Sequence, residues 1–143
     1  LLPVLSQPVE ACDPSRFKDT VATASATINQ TNVTNAKALQ DTLQKWRVAT
    51  GLSEADFAAK AAPLIKDQVT ASIDADNQAL LAKVQTLGGG GGALDAAKCE
   101  AMAGELKSLM DKIAANTDAR WKHMMGNVAA AATATVVQAG AAR

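Results

Sequence analysis

The chain has 143 residues, 14 of them basic and 14 acidic, so it carries no net charge, and 48% of its residues are hydrophobic. A chain of this length can form one domain with a core of its own. Charge neutrality, with no basic run, excludes the Lys and Arg surplus that nucleic acid requires, and a chain with no Tyr, two Phe and two Trp has too few rings to stack single-stranded bases.

Residues 1–12 contain Pro3 and Pro8, which interrupt any helical run, so this stretch reads as an extended, Pro-containing arm. Asp13-Pro14 is the clearest boundary: Asp accepts from the free amides of a first turn, and proline next to it has no amide to leave unbonded. Apolar residues then recur at Phe17, Val21, Ala24, Ile28, Leu39, Leu43 and Trp46, with Thr31 and Asn35 filling a gap in the stripe, and Gly51 can close the helix in the left-handed conformation. A helix is predicted over about 14–50.

Ser53, followed by Glu54 and Asp56, restarts the chain as a second helix over about 54–87, its stripe running from Phe57 through Ala61, Leu64, Ile65, Val69, Ile73, Leu80 and Val84 to Leu87. Pro63 lies inside it and either kinks it or splits it into a short and a longer piece. Gly88 to Gly92 cannot continue a helix. A third helix is predicted over about 93–125, its stripe carrying Leu94, Met102, Leu106, Leu109, Met110, Ile113, Trp121 and Met124 and continuing to Val128, with Gly126 as a candidate break before an Ala-rich segment over 127–143.

These elements describe an all-α protein, an antiparallel up-down-up bundle of three long helices, in which the Ala-rich segment either folds back as a short fourth helix or docks on a partner. With reversals centred near residues 52 and 90 and equal rise per residue, facing residues add to about 104 across the first pair of helices and about 180 across the second. Cys12 and Cys99 then meet at the lower end, where a disulfide is expected, placing the chain in an oxidising compartment: a periplasm, the extracellular space or cell surface, or an organelle lumen. Trp46, Phe57 and Trp121 fall together at the upper end as a candidate floor for a ligand pocket. The third helix overshoots the bundle near residue 128, leaving the charge-free stretch 127–142 with nothing to pack on and Gly126, Ala130 and Ala134 as a ridge of small residues for a partner helix.

Chemistry-bearing patterns are sparse. Two cysteines so far apart form neither a CxxC motif nor a zinc set, so no metal is expected. His123, the one histidine, sits among Trp121, Met124 and Met125, but without a CxxCH attachment sequence, and Met102 and Met110 lie well below it on the same helix; it reads as a rim residue rather than a haem ligand. Asp74 and Asp76 do not share a helix face, Asp41 and Lys45 form an ordinary solvated pair, and no GxSxG or phosphate-binding loop occurs. Asn29 and Asn32 open N-x-T sequons on what reads as a polar helix face. The Ala-rich segment falls short of a membrane span. The expected function is therefore a non-catalytic structural or protein-interaction component of an exported, lumenal or cell-surface assembly, with no cofactor, and the alternative is a helical bundle that binds a small ligand, pigment or haem.

Overall fold

The computed structural model describes residues 13–88 and 96–141, which form four helices and no strand: α1 (Pro14–Thr50), α2 (Glu54–Ile65), α3 (Gln68–Gly88) and α4 (Ala96–Ala141). The all-α bundle read from the sequence is the fold. Asp13 caps α1 by accepting from the Ser15 amide at 3.0 Å, and Gly51 closes it with φ of 67°, its amide reaching back to the carbonyls of Arg47 and Val48. Ser53 caps α2, with its hydroxyl accepting from the Asp56 amide.

The long second helix is two helices. Pro63 has no amide to offer the preceding turn, and α2 ends at Lys66, whose backbone is extended at φ −118° and ψ 95°. A new start follows at once. Asp67 Oδ1 accepts from the Thr70 amide at 2.9 Å, and Thr70 Oγ1 accepts from the Asp67 amide at 2.9 Å, a reciprocal box that opens α3.

Gly126 does not break α4, and the Ala-rich stretch is its continuation to Ala141 rather than a short fourth helix. One glycine in a helix costs about 1 kcal/mol relative to alanine. Its neighbours Met124 and Val128 are 1% and 0% exposed, and burying two such side chains, at about 2 kcal/mol each, outweighs that cost.

α4 is the axis of the molecule. α1 lies parallel to it for most of its length, as shown by Arg16 pairing with Glu100, Trp121 with Asn32, and Trp46 with Thr135. α3 runs antiparallel along its lower and middle parts and α2 along its upper part, whereas α1 and α3 contact each other little. Two apolar clusters result. The lower joins Leu106, Met110 and Ile113 of α4 to Phe17, Val21 and Ile28 of α1 and Leu80, Val84 and Leu87 of α3. The upper joins Leu39, Trp46, Phe57, Ala61 and Val128.

The equal-rise ruler holds at the first turn, where the Trp46 and Phe57 rings meet edge to face at 4.9 Å, and fails at the second. It places residue 113 opposite Asp67; the residue there is His123, a slip of about 15 Å along the helix. The ends of α3 and α4 are not level. The first turns of α4 run past the end of α3 to pair with the start of α1, so every later residue of α4 stands lower than the ruler put it. The stretch expected to overshoot lies beside Trp46, whose indole Nε1 donates to Thr135 Oγ1 at 2.9 Å, with Ala131 and Ala132 packed on the upper cluster.

Two glycines should respond oppositely to the same change. Gly51→Ala places a Cβ in the left-handed region and should lower the unfolding free energy by about 1 kcal/mol. Gly126→Ala meets nothing within 4 Å and should raise it by up to about 1 kcal/mol. Urea unfolding followed by circular dichroism reads both; equal signs would contradict the backbone described here.

Candidate functional site

Between the two apolar clusters the seam where α3 meets α4 is polar and half-buried. On α4, Asn116, Arg120, His123 and Asn127 follow one another at spacings of four, three and four, which put them on one helical face. Each has a partner across the interface. Asn116 donates to Asn77 Oδ1 at 3.0 Å, and the Arg120 guanidinium pairs with Asp74 at 2.8 Å. His123 Nε2 lies 2.5 Å from Asp67 Oδ2, and Asn127 Nδ2 donates to the Leu64 carbonyl at 3.1 Å and to Asp67 Oδ2 at 3.3 Å.

Asp67 is the centre of this network, capping α3 with one carboxylate oxygen and facing His123 and Asn127 with the other. With the His123 Nε2 proton donated to Asp67 and the two Asn127 amide hydrogens used by Leu64 and Asp67, the 3.1 Å approach of Asn127 Nδ2 to His123 Nε2 is a contact and not a hydrogen bond. The Leu64 carbonyl lies in the last turn of α2, so Asn127 ties that end to α4. The Asp67 carboxyl is held down at about 2, first by the hydrogen bond from the Thr70 amide and then by His123. His123 is thus a half-buried pin between α3 and α4 and not a rim residue, its Nε2 engaged by Asp67.

This joint escaped the sequence reading. The signal was Asp67-Gln68-Val69-Thr70, an acidic cap with a hydroxyl three residues on and four residues beyond a helix-breaking proline. Its link to His123 depended on the α3–α4 register.

The residues singled out from the sequence are distributed as follows. Trp46 and Phe57 meet in the upper cluster, and Lys60 Nζ lies 5.8 Å from the Trp46 ring. Trp121 packs against the same cluster from lower down, where its indole donates to Asn32 Oδ1 at 2.8 Å; it does not join the Trp46–Phe57 pair. Gly126, Ala130 and Ala134 are all exposed, as are Val136 and Val137 at 65% each. Cys99 is buried on α4, while Cys12 lies outside the described residues. Asp41 pairs with Lys37 at 2.9 Å rather than with Lys45. Asn29 and Asn32 sit on exposed α1, Asn32 engaged by Trp121.

Beside the Trp46–Phe57 contact, α1 and α2 diverge to leave an open groove of about 490 Å³ whose wall includes Phe57, Leu43 and Ile65. Among the described residues no group of three or more His, Cys, Asp or Glu is placed to hold a metal, and no helix is long and apolar enough to cross a membrane. No protein-family model, curated protein or solved structure matches the chain.

The Asp67 joint has a pH signature. A carboxyl whose folded value lies below its ordinary value stabilises the fold fully above about 3.8, and that contribution is lost as pH falls toward 2. Asp67→Asn should therefore be less stable than the parent at pH 7, with the gap closing between pH 4 and pH 2. Urea midpoints across that range measure it; a gap independent of pH would show that the Asp67 charge is not what matters.

Proposed function

We propose that the chain is a non-catalytic structural or protein-interaction component of an exported, lumenal or cell-surface assembly, and that it holds its partner, or a second copy of itself, on the uncovered face of upper α4. The observation that carries this reading is the contrast between the two faces of that helix. One face is fixed in the core through Met124, Val128 and Thr135. The other, with Gly126, Ala130, Ala134, Val136 and Val137, is exposed along a stretch without a single charged residue. Solvent-facing helix surfaces normally carry charge, and small residues let a second helix backbone come close.

Assignment to an oxidising compartment rests on a Cys12–Cys99 disulfide. Three observations support it. Asp13, the neighbour of Cys12, caps α1; Arg16 in the next turn makes a two-pronged pair with Glu100, the neighbour of Cys99; and Cys99 is only 5% exposed although it stands below the end of α3. The second reading, a bundle that binds a small ligand, is favoured by the open groove along Phe57.

Removing residues 127–143 would strip Val128 and Thr135 from the core, so point changes are the better test of the α4 face. Ala130→Glu with Ala134→Glu should leave unfolding within about 0.5 kcal/mol of the parent. The pair should abolish self-association measured by sedimentation velocity or, where the parent sediments as a monomer, co-purification of the parent's partner from native material. Retained association by the doubly substituted protein removes the α4 face from the proposal.

For the disulfide, a peptide map of the unreduced protein should contain Cys12 joined to Cys99, and reduction should cost about 4 kcal/mol of stability, the loop-closure contribution of so long a loop. Two free thiols in that map would end the argument for export.

A further inference from the structure

His123 is the only histidine of the chain, and histidine is the one side chain that ordinarily changes charge between about pH 5 and pH 8. It stands at the joint where α2 ends and α3 begins. Its Nε2 lies 2.5 Å from Asp67 Oδ2, and each of the two side chains is 27% exposed, so water and salt screen the pair only in part.

The other charges near the ring are engaged elsewhere or exposed. From α3, Asp74 is committed to Arg120. From α4 itself, Arg120 takes that pairing, and Lys122 pairs with Asp118 on the solvent side. At the end of α2, Lys66 is exposed. α1 brings Asn32 and Asn35 to this level, and its nearest charges, Lys37 and Asp41, pair with each other. The Asp67 carboxyl, held down at about 2 first by the Thr70 amide, stays ionised wherever histidine titrates. The charge on His123 therefore decides what joins α4 to the joint. With the ring charged, the bond runs between two ions. With the ring neutral, the same geometry persists and the attraction between opposite charges is gone.

The element this pair holds in place is α2. Asp67 Oδ2 also accepts from Asn127, whose other amide hydrogen goes to the Leu64 carbonyl in the last turn of α2. The extended backbone of Lys66 separates α2 from the cap that starts α3, so the two helices are free to part there. α3 has further polar ties to α4 at Asp74 and Asn77. α2 has, beyond the joint, only the apolar seat of Phe57 and Ala61 in the upper cluster and Lys60 over the Trp46 ring.

We propose that the Asp67–His123 pair makes the seating of α2 depend on pH: charged, it clamps the α2–α3 joint onto α4, and as His123 loses its charge α2 leaves its seat more often while α3 stays packed. The sign is opposite to that of Asp67 itself. The seated form favours the proton on His123, so this contribution is complete at the acid end of the histidine range and is lost as pH rises.

Trypsin cleavage after Lys60, in the middle of α2, measures in the unsubstituted full chain how often α2 is unseated, each rate being divided by that of an unfolded peptide of the same sequence at the same pH. From pH 6 to pH 8 the corrected rate is expected to rise about threefold, the size of a partly screened ion pair. Cleavage after Lys107 and Lys112 on α4 should stay constant over the same range. His123→Gln keeps a donor for Asp67 and has no charge to lose, and it should make the Lys60 rate independent of pH. A constant Lys60 rate in the unsubstituted chain overturns the proposal whether or not the variant folds. So does a rise shared by Lys107 and Lys112, since the whole bundle is then loosening, and so does the same rise in His123→Gln.

Discussion

The fold depends on the register of α3 against α4, and polar groups set it. An alanine-rich interface tolerates sliding, because one small side chain replaces another at each turn with little change in buried area. Asn77 with Asn116, Asp74 with Arg120 and Asp67 with His123 do not tolerate it. A slip of one turn takes each of these side chains away from its partner and returns nothing in exchange. The apolar clusters above and below supply the burial, and the polar waist between them selects the alignment in which both clusters form. The same waist explains why the α1 stripe lapses to Thr31 and Asn35 in its middle: Asn35 bonds back to the Thr31 carbonyl there, beside the Asn32–Trp121 contact.

Much of this was legible in the chain because helix ends are written in local chemistry. Asp13-Pro14, Gly51 and Ser53 each satisfy or release a specific backbone group, so the limits of α1 and the start of α2 followed from single residues. What could not be read was how far α4 travels relative to its neighbours. That distance depends on where a helix begins after the glycine run and on contacts between residues dozens of positions apart, and no local pattern encodes it. The error then spread: a ten-residue slip made a core stretch appear to hang free, and put Trp121 level with Trp46. Asp67 is the reverse case: its cap is local chemistry four residues beyond Pro63, while its partner His123 is set by the α3–α4 register alone.

The two surface features of the upper half have a common origin. α2 covers only part of what a full-length helix would cover, so α1 and α2 diverge over Phe57 and Leu43, and the far face of α4 has no fourth helix against it. The lower half, with α1 and α3 flanking the same axis, has its apolar residues turned inward around Leu106, Met110 and Ile113. The uncovered face of α4 and the opening over Phe57 thus both lie at the end where the bundle is incomplete.

The break at Lys66 has a mechanical consequence. A helix of twelve residues is too short to persist unaided in water, so α2 remains folded only while it stays seated on the axis. Its attachments are few: a ring contact with Trp46, the Asn127 bond to its last turn, and the face around Ala61. It is seated on α4 like a hasp on a post, able to detach at a cost well below that of melting the whole, so its amides are expected to exchange with solvent sooner than those of the α4 core beside it.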